Sequence, residues 1–293
     1  MIELPNGHRL EYVAASGALA FDGRGWWWEW PLRWCGLLDP SKFAIVIKTV
    51  TRRPRRGNLR WSRPWEVVRL LKGGVVNAIG LTNPGIAWWC RTVGTQVPKR
   101  SYRLIGSIYG ESPEEIAEMA SMLDTVPLVA VEVNCSCPNV GARAVSQTEA
   151  ILAAMEGARQ ATQHPLIAKL SVAHDYCAIA RGLQGKVSAI AINSVPWAMA
   201  CQGAESPLAQ FGGGGVSGRA AQLYTWRMLQ ELVDVTSIPV IGPSVWTYED
   251  IGRLRRLGAR AISFGSIFLR YPWRPTAYVR REQREHSCAR MRG

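Results

Sequence analysis

The chain has 293 residues, 47% of them hydrophobic, and a formal net charge of +13. That is enough apolar content for a large core, but no apolar run is long and clean enough to span a bilayer, and Met1-Ile2-Glu3-Leu4-Pro5 lacks the parts of a secretion signal. Cysteines at 35, 90, 135, 137, 177, 201 and 288 follow no disulfide-framework, zinc or iron–sulfur spacing, so a reduced, cytoplasmic protein without a metal is expected.

In chain order, Leu4-Pro5-Asn6-Gly7-His8 reads as a hairpin turn placed to close the bottom of a barrel. Strands are predicted at Ala44–Lys48, Val75–Ile79, Arg103–Tyr109, Leu128–Asn134, Leu166–Ser171, Val187–Asn193, Ile238–Gly242 and Arg260–Phe264. Most are continuous apolar runs, the pattern of parallel strands covered on both faces. Amphipathic helices fall between them. Ser112-Pro113-Glu114-Glu115 combines an N-cap serine, a first-turn proline and a capping-box glutamate; Ser146-Gln147-Thr148-Glu149 repeats the box, and Thr247-Tyr248-Glu249-Asp250 is a looser version. About eight strand–helix units predict a (β/α)8 TIM barrel, with an N-terminal hairpin and an excursion, Val195–Gly218, after strand 6. A doubly wound sheet is the competitor, but its glycine-rich first turn is missing. The expected organisation is one barrel domain over 1–293, with 1–40 as an N-terminal extension and 280–293 as a basic, solvated tail.

In a barrel, chemistry gathers at the C-terminal ends of the strands. On the predicted strands, Lys48 ends the first, Asn77 lies near the end of the second, Asn134 ends the fourth, and Lys169 lies late in the fifth. Asn193-Ser194 ends the sixth, and Gly242 and Gly265 end the seventh and eighth. One buried lysine is often just a paired residue. Two lysines and three asparagines on one rim point to a site, since amides orient a planar heterocycle and lysines hold anions. The stretch Glu132-Val133-Asn134-Cys135-Ser136-Cys137-Pro138-Asn139 adds thiols able to take or give a proton.

These residues carry a resemblance over most of the chain. Ala14-Ala15-Ser16-Gly17, Lys48-Thr49-Val50-Thr51 with Pro54-Arg55-Arg56-Gly57-Asn58, and Asn77-Ala78-Ile79-Gly80-Leu81-Thr82-Asn83-Pro84-Gly85 come first. Then follow the Asn134–Asn139 loop, Lys169-Leu170-Ser171, Asn193-Ser194 and Gly214-Gly215-Val216-Ser217-Gly218. The ordered set resembles the class 1 dihydroorotate dehydrogenases, flavin enzymes of pyrimidine synthesis. The resemblance implies FMN as cofactor and a dihydroorotate-like substrate. Cys137 would remove the C5 proton while the C6 hydride passes to the flavin, and Lys169 would stabilise the reduced flavin at its N1–C2=O edge. Lys48, Asn77, Asn134, Asn139, Asn193 and Ser194, with the backbone of Ile79, Gly80 and Leu81, would hold the substrate. The flavin would also meet Ala15, Ser16, Gly17, Lys48, Thr49, Asn134, Lys169, Asn193, Gly215 and Ser217, with Gly242, Ser244, Gly265 and Ser266 near its phosphate. Cys135 is read as packing.

One departure stands out. The family's phosphate-binding glycine pair after the seventh strand is replaced in Ile241-Gly242-Pro243-Ser244-Val245-Trp246. Proline removes one N–H donor, while the Ser244 hydroxyl and the N-terminus of the helix near Thr247 offer substitutes. The Arg52–Arg63 loop reads as a steering device or as a mobile lid. Trp26-Trp27-Trp28 and Trp30 read as a packed extension or dimer contact before a partner or membrane patch. The four histidines lie outside the motifs.

The resemblance allows a homodimer and a separate electron-transfer subunit as partners, with dihydroorotate and orotate as small molecules. No membrane partner and no nucleic acid are expected. Two readings compete: an FMN-dependent reductase of another pyrimidine, of dihydropyrimidine or dihydrouridine type, and a barrel that has lost flavin and serves as a binding protein.

Overall fold

The computed structural model describes residues 1–99, 102–135 and 144–290. Eight parallel strands, each bonded to the next in sequence, close into a barrel. They are β1 (Tyr12–Ala14), β2 (Ala44–Val46), β3 (Arg103–Ile108), β4 (Ala130–Asn134), β5 (Leu166–Leu170), β6 (Ala189–Ile192), β7 (Val240–Gly242) and β8 (Ala261–Phe264). Every residue of β1, β2, β4, β5 and β7 is buried, as strands covered by helices outside and packed side chains inside must be.

The expected number of strands is right and its membership is not. Val75–Ile79 is no barrel strand: Gly74–Asn77 lies in a separate antiparallel sheet between Val68–Leu71 and Gly215–Gly218, with Val195–Pro196 beyond. The first barrel strand is Tyr12–Ala14, inside the segment expected to be an extension, so Lys48 follows the second strand and Asn77 stands outside the barrel. The side sheet joins the excursions after β2 and β6, with Asn77 opposite Gly215 and Gly74 opposite Gly218.

At the other end the hairpin pairs Ile2 with Leu10, and Leu4 N–H donates to His8 O at 2.8 Å. Ile2, Leu4 and Leu10 pack with the inward-facing Val13, Val46, Ile105 and Ile167 and plug the barrel's bottom. Helices follow β3 to β7 as Pro113–Asp124, Ala144–Ala161, Tyr176–Gly182, Gln222–Val235 and Glu249–Arg256. The Ser112 hydroxyl accepts from Glu115 N–H at 3.2 Å, the expected cap. Ser146 does not start its helix, which already begins at Ala144. The basic tail belongs to a helix, Arg274–Arg290, whose outer residues are exposed.

Candidate active site

The two rim lysines are both buried but differ in company. Lys169, on β5, places its ammonium 2.7 Å from Glu132 Oε1, from the adjacent strand β4. Ser107 Oγ, on β3, donates to the same oxygen at 3.0 Å. From Ser107 the hydroxyl contacts continue, 2.9 Å to Thr49 Oγ1 and 2.9 Å on to Ser16 Oγ, which donates to Ile47 O. The barrel closure brings residues from β1 to β5 and the loops after them into one buried polar row. Burial of an acid at Glu132 is tolerable because a cation and a hydroxyl satisfy it.

Lys48 is 8% exposed and has no carboxylate or hydrogen-bond acceptor for its ammonium among the described residues. Burial, reinforced by the Lys169 charge, pushes its pKa down to about 8. An unmatched cation facing a mouth is a standing demand for an anion. Gly17 lies alongside with φ +77°, and a Cβ there would sit 3.6 Å from Lys48 Cγ. A narrow recess of about 30 Å³, lined by Ala15, Ser16, Glu132, Lys169 and Pro243 among others, opens beside these groups.

The side sheet supplies a second group. Asn77 opposes Gly215, and a side chain at Gly214 would meet Asn77 O at 2.7 Å, which explains a glycine with φ +81°. A Cβ on Gly215 would come 2.4 Å from Ser194 Oγ, so Asn77, Ser194 and Gly215 are neighbours. Ser217 Oγ donates to Val75 O at 3.3 Å, inside the sheet. The Asn193 carboxamide accepts from Ser194 N–H at 2.9 Å. Asn134, 7% exposed, pairs in register with Lys169.

Asn83 ties the loop after β2 to the loop after Gly74–Asn77. Its Oδ1 accepts from Thr51 N–H and Gly85 N–H at 3.1 and 2.8 Å, and its Nδ2 donates to Thr51 Oγ1 and Leu81 O. Asn58 donates from its backbone to Ile79 O and from its amide to Ala78 O. These bonds hold Ile79-Gly80-Leu81 in a turn with φ +67° at Gly80 and +57° at Leu81. The basic loop is therefore pinned as far as Leu59, contrary to a mobile-lid reading.

Cys135 packs beside Met155, and burial pushes its thiol up to about 12, so it is a packing residue. Cys137 and Asn139 lie outside the described residues.

A family profile described as Dihydroorotate dehydrogenase matches residues 35–273. The chain belongs to the dihydroorotate dehydrogenase family. It is 33% identical over 237 residues to a Desulforudis audaxviator protein named dihydroorotate dehydrogenase B (NAD(+)), catalytic subunit, covering 78% of this chain and 76% of that one. It is 30% identical over 236 residues to dihydroorotate dehydrogenase A (fumarate) of Lactobacillus delbrueckii, covering 76% and 74%. Its fold is similar to that of the ligand-free-type DHODH from Eimeria tenella, with TM-score 0.66, 18% identity, and 92% and 81% of the two chains covered.

In this dihydroorotate dehydrogenase family member the corner between β7 and β8 is strained: Ser244 holds φ +64°, a conformation that glycine adopts without strain. Its hydroxyl oxygen accepts from Thr225 Oγ1 at 3.1 Å, which leaves its own proton to donate, and its carbonyl accepts from Gln222 Nε2. The expected helix N-terminus is occupied, because Asp250 Oδ2 accepts from Trp246 N–H at 2.9 Å and Thr247 N–H at 2.8 Å. Gly265 is the open element here; a Cβ on it would meet only Ala15 Cβ, at 3.5 Å. Sequence reasoning missed Glu132, Ser107 and Asn83. The signal for Glu132 was present, an acid at an inward position of an apolar strand.

Proposed function

We propose that this family member oxidises dihydroorotate to orotate in pyrimidine synthesis, with FMN as its flavin. The observation that carries the reading is Lys48, a largely buried lysine whose ammonium has no protein acceptor among the described residues, held beside a second lysine that is already paired. A substrate carboxylate and an electron-rich flavin edge are the chemistry such a pair suits. FMN, when bound, supplies the acceptor for the C6 hydride.

In this reading Lys48 binds the substrate carboxylate, and Asn77, Asn134, Asn139 and Asn193 orient the ring's amides and carbonyls, with Ser194 and the Ile79–Leu81 backbone beside them. Cys137 takes the proton from C5. Lys169, oriented by Glu132, lies at the flavin's N1–C2=O edge. Ala15, Ser16, Gly17, Thr49, Gly215 and Ser217 line the cofactor's path, and Gly242, Ser244, Gly265 and Ser266 border its phosphate. At the corner the Ser244 hydroxyl, which accepts from Thr225, keeps its own proton for a phosphate oxygen beside the backbone of Gly265-Ser266. Relatives carry names with fumarate and with NAD(+), and a separate electron-transfer subunit fits the latter kind.

The test is anaerobic addition of dihydroorotate to FMN-supplemented protein, following flavin absorbance. Rapid bleaching, lost in Cys137→Ala while FMN stays bound, is the expected result. A bound but unbleached flavin would point to another pyrimidine, and failure to bind flavin to a non-catalytic barrel.

A further inference from the structure

The segment between β1 and β2 is tryptophan-rich and largely uncovered. Trp27 is 70% exposed and Trp34 80%, although large apolar side chains normally find cover. Trp27 forms part of one aromatic group. Trp26 stacks on Trp28 at 5.4 Å and 7°, Trp27 meets Trp28 edge-on, and Trp61 from the basic loop packs 5.2 Å from Trp26. Trp30 and Trp34, four residues apart on the next helix, Trp30–Trp34, lie on one helix face and are exposed.

The base of this group is fixed. Trp26 Nε1 donates to Gly17 O at 3.1 Å, its backbone N–H donates to the buried Glu29 carboxylate at 2.7 Å, and Trp89 Nε1 donates to Phe21 O. The outer rings are thus presented on a rigid base, and binding through them would cost little ordering.

The charge around the rings is one-sided. Arg56 and Arg60 are exposed with no acidic partner among the described residues, while the nearby acids are spent: Asp22 pairs with Arg24, Glu66 with Arg63, and Glu29 is buried. A second copy of this face would set arginine against arginine, since a two-fold contact is self-complementary. Indoles settle at the headgroup level of a bilayer, and guanidinium groups beside them meet lipid phosphates. We propose that the Trp26–Trp34 and Arg56–Arg63 segments together form a docking face for an anionic lipid bilayer. It gives peripheral attachment, with the Gly17 side of the barrel mouth nearest the membrane. No helix among the described residues is long and apolar enough to cross one, so the face rests on the surface.

The full chain would be tested by flotation with phosphatidylcholine vesicles, with and without phosphatidylglycerol, while following tryptophan fluorescence. The expected result is binding to the anionic vesicles only, with a blue shift, weakened about tenfold by Trp27→Ala with Trp34→Ala and by Arg60→Gln with Arg63→Gln. Thermal melting of each variant checks that it is folded. No binding to anionic vesicles at low salt would overturn the proposal. So would binding that ignores the tryptophan pair, which would be charge attraction alone. Concentration-dependent self-association abolished by the same tryptophan variants would assign the face to a second copy instead.

Discussion

Two sides of the barrel mouth handle buried polarity in opposite ways. On the β2–β5 side the chain leaves capacity unspent, with Lys48 lacking an acceptor although Lys169 is matched by Glu132. At the β7–β8 corner the chain satisfies itself: Ser244 bonds to Thr225, and Asp250 closes the backbone N–H groups of Trp246 and Thr247. The difference teaches that a ligand's place is marked by polar groups held at a cost without protein partners. Where polar groups find partners within the protein, they are knitted inward and cease to announce a ligand.

The comparison breaks most severely at Glu132. Glu132→Ala leaves Lys169 buried and unmatched, so a loss of about 3–5 kcal/mol in stability is expected from urea unfolding. A variant as stable as the parent would mean that the pair is dispensable. Lys48→Met should do the reverse in the absence of ligand. It removes a charge whose burial costs on the order of 2–3 kcal/mol, so the ligand-free protein should gain stability near neutral pH. The same variant should lose roughly a hundredfold in orotate affinity, measured by calorimetry.

The pH dependence sharpens the same point. Burial beside the Lys169 charge lowers the folded pKa of Lys48 to about 8, below the 10.5 of an ordinary lysine, so the unfolded chain holds the proton more tightly. The cost is fully present below about 8 and is relieved as pH rises from there towards 10.5, so ligand-free stability should climb through that window. An anionic ligand needs the charged form, and orotate affinity should therefore fall as pH rises through about 8, an effect absent in Lys48→Met. The smallest effect belongs to the corner. Pro243→Gly with Ser244→Gly adds a donor and relieves the left-handed serine, and FMN should bind up to about tenfold tighter by fluorescence titration. Unchanged affinity would mean that the phosphate does not reach this corner.

Much of this was legible in the sequence, with instructive gaps. Continuous apolar runs revealed seven of the eight barrel strands, because parallel strands are covered on both faces. The same rule misplaced Val75-Val76, which are fully buried in the side sheet instead; local sequence does not say against which neighbour a run is buried. Tyr12–Ala14 was too short to carry a pattern of its own. Lys48, Asn134 and Lys169 could be placed at the ends of barrel strands because a polar residue closing an apolar run stands out, whereas Asn77 closes a side-sheet strand instead. The fate of Ser244 was not, since it depends on Thr225, nineteen residues away on another element.

The pinning of the basic loop also bears on how the protein meets a protease. Arg55 and Asn83 exchange backbone hydrogen bonds, and Thr82 Oγ1 donates to Arg56 O, so Arg52 to Arg56 are fastened to a neighbouring strand of chain. Trypsin needs an extended, detachable segment of several residues, which this part does not offer. Beyond Leu59 the backbone bonds to the neighbouring segment end, and Arg60 stands exposed before Trp61, whose ring packs on Trp26. Within the chain's most arginine-dense loop, the first cut should therefore fall after Arg60, since Pro64 blocks cleavage after Arg63, and the early fragments would map where the loop is sewn down.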